Sequence, residues 1–70
     1  MKYAVVIEKA KSNFSAFVPD LPRCIATGAT IEEVEGQIRE AIEFHLEGMR
    51  RDGEEIPQPS SSVEYIEVAA

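Results

Sequence analysis

Apolar residues in the first eighteen positions recur with a period of two, the spacing of strands that bury one or both faces. Tyr3 to Ile7 is apolar on both alternating sets, Tyr3, Val5 and Ile7 against Ala4 and Val6, which predicts a central strand covered on both sides. Ala10 to Asn13 is short and polar, as a hairpin connection is. Phe14 to Val18 then alternates again, Phe14, Ala16 and Val18 against Ser15 and Phe17, and predicts a second, antiparallel strand. Pro19 and Pro22 lack amide donors and bias the residues before them away from helical angles. They end that strand and hold Asp20 and Leu21 in a stiff turn. Cys24 to Thr27 reads as a short edge strand, and Gly28 as a flexible bend into the next element.

Past Gly28 the period changes to 3.6. Ile31, Val34, Ile38, Ala41, Ile42, His45 and Met49 fall on one stripe, which predicts a single amphipathic helix of about five to six turns. Thr30 and Glu33 form a T-x-x-E capping box at its start, and Glu32 and Glu33 complement the helix dipole there. Arg50, Arg51 and Gly53 have the character of a helix C-terminus with a glycine cap. Ile56-Pro57-Gln58-Pro59 and Ser60 to Ser62 form an extended connector, and Val63 to Val68 alternates as a last strand. The expected class is α+β, ordered β-β-β-α-β, a small sheet with one amphipathic helix packed on one face.

Seventy residues make one domain, 1–70, and a domain this small buries only roughly 60% of the surface its unfolded chain exposes. A single cysteine forms no internal disulfide, and Cys24 and His45 are the only soft ligands, so no metal staple or cofactor is readable. Stabilisation by a partner or a second copy is therefore expected. Because one helix covers one sheet face, burial of Ala4, Val6 and Phe17 against another copy predicts a homo-oligomer. The net charge of −6 lacks the basic footprint that neutralises phosphates. It argues against direct nucleic-acid binding and favours a basic protein partner. The uncharged run Tyr3 to Ile7 is too short for a signal peptide or a membrane span, so a cytoplasmic protein without membrane association is expected.

Candidate chemistry is sparse. His45 sits in the apolar stripe with no readable orienting acid, and reads as a packing residue. Cys24, with only Arg23 as a nearby cation, reads as a small buried hydrophobe. Glu8 and Asp20 lie on different elements and Glu64 and Glu67 point to opposite faces of a strand, so no carboxylate cluster for metal-dependent hydrolysis assembles and no enzymatic activity is expected. The outer helix face carries Glu32, Glu33, Glu40, Glu43 and Glu47, with i,i+4 pairs expected at Glu35–Arg39 and Glu47–Arg51. Such a face is either simply solvated or an acidic dock for a basic protein. Phe44 lies off the apolar stripe beside Ala41 and Gly48, and either tucks under the Pro57–Pro59 connector or anchors an interface. The candidate partner-binding set is Glu40, Glu43, Phe44 and Glu47 on the helix with Asp20 and Arg23 in the turn.

Val18-Pro19-Asp20-Leu21-Pro22, Cys24, Gly28, Thr30, Glu32 and Glu33, continued by Glu40, Ala41, Ile42, His45, Leu46, Asp52, Gly53, Ile56, Pro57 and Pro59, resemble the signature of the HicB antitoxin family. The resemblance covers nearly the whole chain. It implies a partial ribonuclease-H-like fold, whose first three strands meander antiparallel and whose last lies parallel beside the first. It also implies a partner, because HicB-type antitoxins occlude HicA toxins, small basic ribonucleases that cleave messenger RNA, without chemistry of their own. Longer family members add a C-terminal DNA-binding domain, and none is expected within residues 1–70. The alternative is a stand-alone homo-oligomeric interaction module without a toxin partner. Arg23 stands where the family usually has glycine; if that position needs a positive φ, arginine is strained there by roughly 1 kcal/mol.

Overall fold

The computed structural model describes residues 1–69. Three antiparallel strands, β1 (Val6–Lys9), β2 (Phe14–Phe17) and β3 (Ile25–Gly28), are followed by one helix, α1 (Ile31–Arg51), and the sheet order is β1-β2-β3. This is the expected α+β class and the first four elements of the expected order β-β-β-α-β. Two expectations need correction. Strand β1 starts three residues later than expected and lies at an edge of the sheet, with β2 at the centre. Residues 63–68 pair with no strand, so the last strand of the expected order is missing among the described residues.

Register sorts the strand residues onto two faces. Ile7, Ala16 and Ala26 lie in one cross-strand row, and Val6, Phe17 and Ile25 in the next, on the opposite face. The first row belongs to the face that α1 covers. Ala16, Val18, Leu21, Cys24, Val34 and Ile38 form the buried core, with Val5, Ile7, Phe14, Ala41, Ile42 and Leu46 packed around it. Helix α1 lies over β2 and β3 rather than over β1.

Gly28 sets that placement. A Cβ at this position would stand 2.7 Å from the Val34 backbone nitrogen and 3.0 Å from its Cα, closer than real side chains come. The expected role of Gly28, backbone freedom at a bend, is thus replaced by a different one. The missing side chain lets the first turn of α1 rest directly on the end of β3. Val34, fully buried, sits at that contact.

Both helix ends follow from local sequence. Thr30 is the N-cap, its Oγ1 accepting from the Glu33 amide at 3.0 Å. The Glu33 carboxylate accepts from the amide of Ala29, one residue before the cap, at 3.0 Å, so the reciprocal bond of the capping box is displaced by one position. At the other end Gly53 has φ +72, its amide donates to the Arg50 carbonyl, and the Glu54 amide donates to the Met49 carbonyl. That pair of bonds is the Schellman motif, and glycine carries its left-handed residue at no steric cost.

The turn after β2 contributes more than a reversal. Leu21 donates its amide to the Val18 carbonyl and Cys24 donates to the Leu21 carbonyl, so two successive tight turns occupy residues 18–24. Held between Pro19 and Pro22, Leu21 is driven inward and is 1% exposed. Full burial of such a side chain stabilises by about 2 kcal/mol.

Two substitutions test these contacts by thermal or denaturant unfolding. Gly28→Ala is expected to destabilise by about 1–3 kcal/mol, since helix backbone must move to admit the methyl group. Gly36→Ala, where nothing lies within 4 Å of the added carbon, is the control and is expected to stabilise by up to about 1 kcal/mol. Thr30→Ala is expected to cost about 1 kcal/mol through loss of the N-cap bond, and an unchanged midpoint would place the helix start elsewhere.

Candidate partner-binding surface

Glu40, Glu43 and Glu47 are all exposed and, at 100° per residue, fall within an arc of about 60° on the outer face of α1. Among the described residues Glu47 alone of the three forms a salt bridge, with Arg51 at 3.4 Å across exposed side chains. The Glu35–Arg39 pair expected from spacing is not formed among the described residues. An ion pair as exposed as Glu47–Arg51 contributes little to stability, so the stripe presents its charge to solvent.

Beside the acidic stripe stands Phe44, 77% exposed, and at the edge strand β3 stands Ile25, 69% exposed and on the sheet face away from α1. The two line a shallow groove with Thr27, Gln37, Glu40 and Ala41, between the helix and the free edge of β3. The connector does not cover Phe44, so the contact under Pro57–Pro59 is not made. Residues 57–61 are tied elsewhere, the Pro57 carbonyl accepting from the Tyr3 hydroxyl and Ser60 and Ser61 reaching Asp20. Gly48, a turn beyond Phe44, faces open space and makes no close packing within the chain.

Asp20 and Arg23, the two candidates from the turn, have other occupations. The Asp20 carboxylate accepts four hydrogen bonds, from the amides of Ser60 at 2.9 Å and Ser61 at 3.0 Å and from their hydroxyls at 3.1 and 2.8 Å. Those bonds, led by the Ser60 amide, hold its pKa down at about 2. Asp20 is therefore a clamp for the connector, not a free acid. Arg23 has φ +72 and follows Pro22 within the four-residue turn Leu21–Cys24, the pattern of a type II turn that favours glycine at this place. The positive φ that its glycine-like position implied is present, and it strains arginine by about 1 kcal/mol or more.

Of the six candidate residues, Glu40, Glu43, Phe44 and Glu47 thus share one exposed helix face, while Asp20 and Arg23 belong to the turn. Ile25 was not among the candidates. Its signal was present in the alternation of β3, which sends Ile25 away from the face that buries Cys24. The Cys24 thiol is buried and burial pushes its pKa up, which removes it from nucleophilic chemistry. His45, on α1, is half-buried. Among the described residues no three His, Cys, Asp or Glu side chains are placed to hold a metal ion, and no helix is long and apolar enough to cross a membrane.

The Asp20 clamp has a definite pH signature. Its folded pKa lies below the ordinary 3.8, so the clamped state is favoured above that value and loses this support as pH falls through about 2. Carboxyl chemical shifts followed by NMR are expected to titrate Asp20 near 2, with the Ser60 and Ser61 amides moving in step. An ordinary midpoint of 3.8, or unresponsive serine amides, would mean that the clamp is not populated.

Known proteins resemble this chain along almost its whole length. Residues 3–69 match the family described as the HicB-like antitoxin of bacterial toxin-antitoxin systems. An uncharacterised 14.9 kDa protein of Haemophilus phage HP1 is 41% identical over 94% of this chain and 50% of its own length. A UPF0150 protein of Thermoplasma acidophilum is 36% identical over 87% of this chain and 90% of its own length. Antitoxin HicB 2 of Photorhabdus laumondii is 31% identical over 100% of this chain and 51% of its own length. The chain spans about half the length of the phage protein and of Antitoxin HicB 2. No solved structure matches. A family match over residues 3–69, together with relatives of 31–41% identity, establishes that this chain belongs to the HicB-like antitoxin family of bacterial toxin-antitoxin systems.

Proposed function

We propose that this chain acts as an antitoxin by binding a small basic HicA-type ribonuclease and covering the toxin's RNA-binding surface. Family membership supports a toxin partner, and the exposed Phe44 beside the Glu40–Glu43–Glu47 stripe is the observation that carries the choice of surface. A solvated helix face has no use for a large aromatic left 77% exposed. An interface does, because aromatic side chains fill a partner's pocket at low entropic cost while surrounding polar groups exclude water. The groove between Phe44 and Ile25 and the open space over Gly48 give a partner's backbone room to approach.

Charge supplies the steering. The chain carries −6, and the outer helix face concentrates part of it where a ribonuclease would present cations to RNA phosphates. Occlusion then needs no catalysis by the antitoxin: the acidic face competes with RNA for the same basic groups. Because encounter is electrostatic, rising ionic strength is expected to slow association more than it speeds dissociation. Localisation in the cytoplasm, where messenger RNA is cleaved, belongs to the same proposal.

The test is to find whether the reading frame beside the gene encodes a small basic protein and, where it does, to co-express the two and measure binding. Glu40→Lys, Glu43→Lys and Glu47→Lys together change the net charge by +6, from −6 to 0, and are expected to lower the on-rate by at least about tenfold. Phe44→Ala is expected to cost about 2 kcal/mol in affinity, mostly as faster dissociation, while leaving thermal stability unchanged. Growth rescue and affinity that survive both changes would move the dock to another surface. Absence of any complex with the wild-type chain would remove that protein as the partner.

A further inference from the structure

We infer that the free edge of β3 is a strand acceptor, where an extended, cation-bearing segment of the basic partner pairs with the backbone of Ile25 and Thr27. The inference rests on the toxin-binding reading and adds to it how the partner is held.

The hydrogen-bond pattern assigns the groups. In an antiparallel pair, residues alternate between those that exchange bonds with the neighbouring strand and those whose amide and carbonyl point away from it. The Val18 amide donates to the Cys24 carbonyl at 3.2 Å, and the same register sets Ala16 opposite Ala26 and Phe14 opposite Gly28. Cys24, Ala26 and Gly28 therefore turn their backbone groups toward β2. Ile25 and Thr27 turn theirs outward. On that side β3 has no neighbouring strand among the described residues, so the amides and carbonyls of both residues are open to an incoming strand.

The two edges of the sheet differ in how they are guarded. β1 ends in exposed Glu8 and Lys9, charges of the kind that keep foreign strands away. β3 has neither a charge nor a proline, and its two outward-bonding residues are β-branched, the type that packs well in sheets. Apolar surface flanks this edge on both sides, with Ile25 on the outer face of the sheet and Phe44 on the helix over the other. A strand laid along β3 would bring the residue opposite Ala26 to the side of Ala41 and Phe44, and its two neighbours to the side of Ile25 and Thr27.

Charge decides the occupant. Glu40 lines the groove beside this edge, and Glu43 and Glu47 continue the same helix face. A second copy pairing through its own β3 would set two α1 helices on one face of a joined sheet, acidic stripe toward acidic stripe. Like charges so placed oppose association, whereas a lysine or arginine on the incoming strand finds Glu40.

Amide hydrogen exchange followed by NMR tests the pairing directly, with a HicA-type ribonuclease as the probe, taken from the adjacent reading frame where that encodes one. In the free chain the Ile25 and Thr27 amides are expected to exchange faster than those of Ala26 and Gly28, and in the complex to slow by at least about tenfold. Thr27→Pro removes an outward donor without breaking a bond to β2, and is expected to weaken binding by at least about tenfold with an unchanged helical spectrum. Thr27→Val keeps the amide and is expected to bind as the wild type does. Amides that stay fast in a formed complex, or a folded Thr27→Pro chain that binds normally, would overturn the inference and leave the toxin reading standing. Absence of any complex would remove both. Protection of the two amides in the free chain that grows with its concentration would give the edge to a second copy and overturn the inference as well.

Discussion

The close approach of α1 to Gly28 is the constraint on which the rest of the arrangement depends. Only a residue without a side chain lets the Val34 backbone come that near, and the helix is thereby drawn to the β3 side of the sheet. Two surfaces result. On the β3 side the helix stands beside an edge strand, and Phe44 and Ile25 flank a shallow groove next to the acidic stripe. On the β1 side the sheet is only partly covered, and Tyr3, Val5 and Ile7 line an apolar trough with Ile38, Ile42 and Leu46.

The double-proline turn is the second organising element, and it acts at two distances. Locally it drives Leu21 into the core, where a turn residue supplies one of the two most completely buried large side chains. At long range its Asp20 captures Ser60 and Ser61, forty residues away in sequence, and decides where the chain leaves the domain. One carboxylate thus links the first half of the chain to its end with charge-assisted bonds, which are stronger than neutral ones. Arg23 tolerates a left-handed conformation in this turn because the flanking hydrogen bonds and the buried Leu21 over-determine it.

Local patterns in the sequence determined the helix and both of its caps, the three meandering strands, the stiff turn, and the burial of Cys24, because each depends on residues close together along the chain. The acidic stripe was legible for the same reason, helical spacing alone placing Glu40, Glu43 and Glu47 on one face. Tertiary structure decided the rest. Gly28 was read as a bend because no local pattern shows that a helix backbone will press against it. Asp20 and its serine partners lie too far apart for spacing to join them, so an apparent surface acid became a clamp. Tyr3 to Ile7 is apolar on both faces, but whether a strand is central or at an edge depends on what packs beside it. The run Val63 to Val68 has the alternation of a strand, yet alternation specifies only which faces are apolar, and a strand exists only where another strand's edge is within reach.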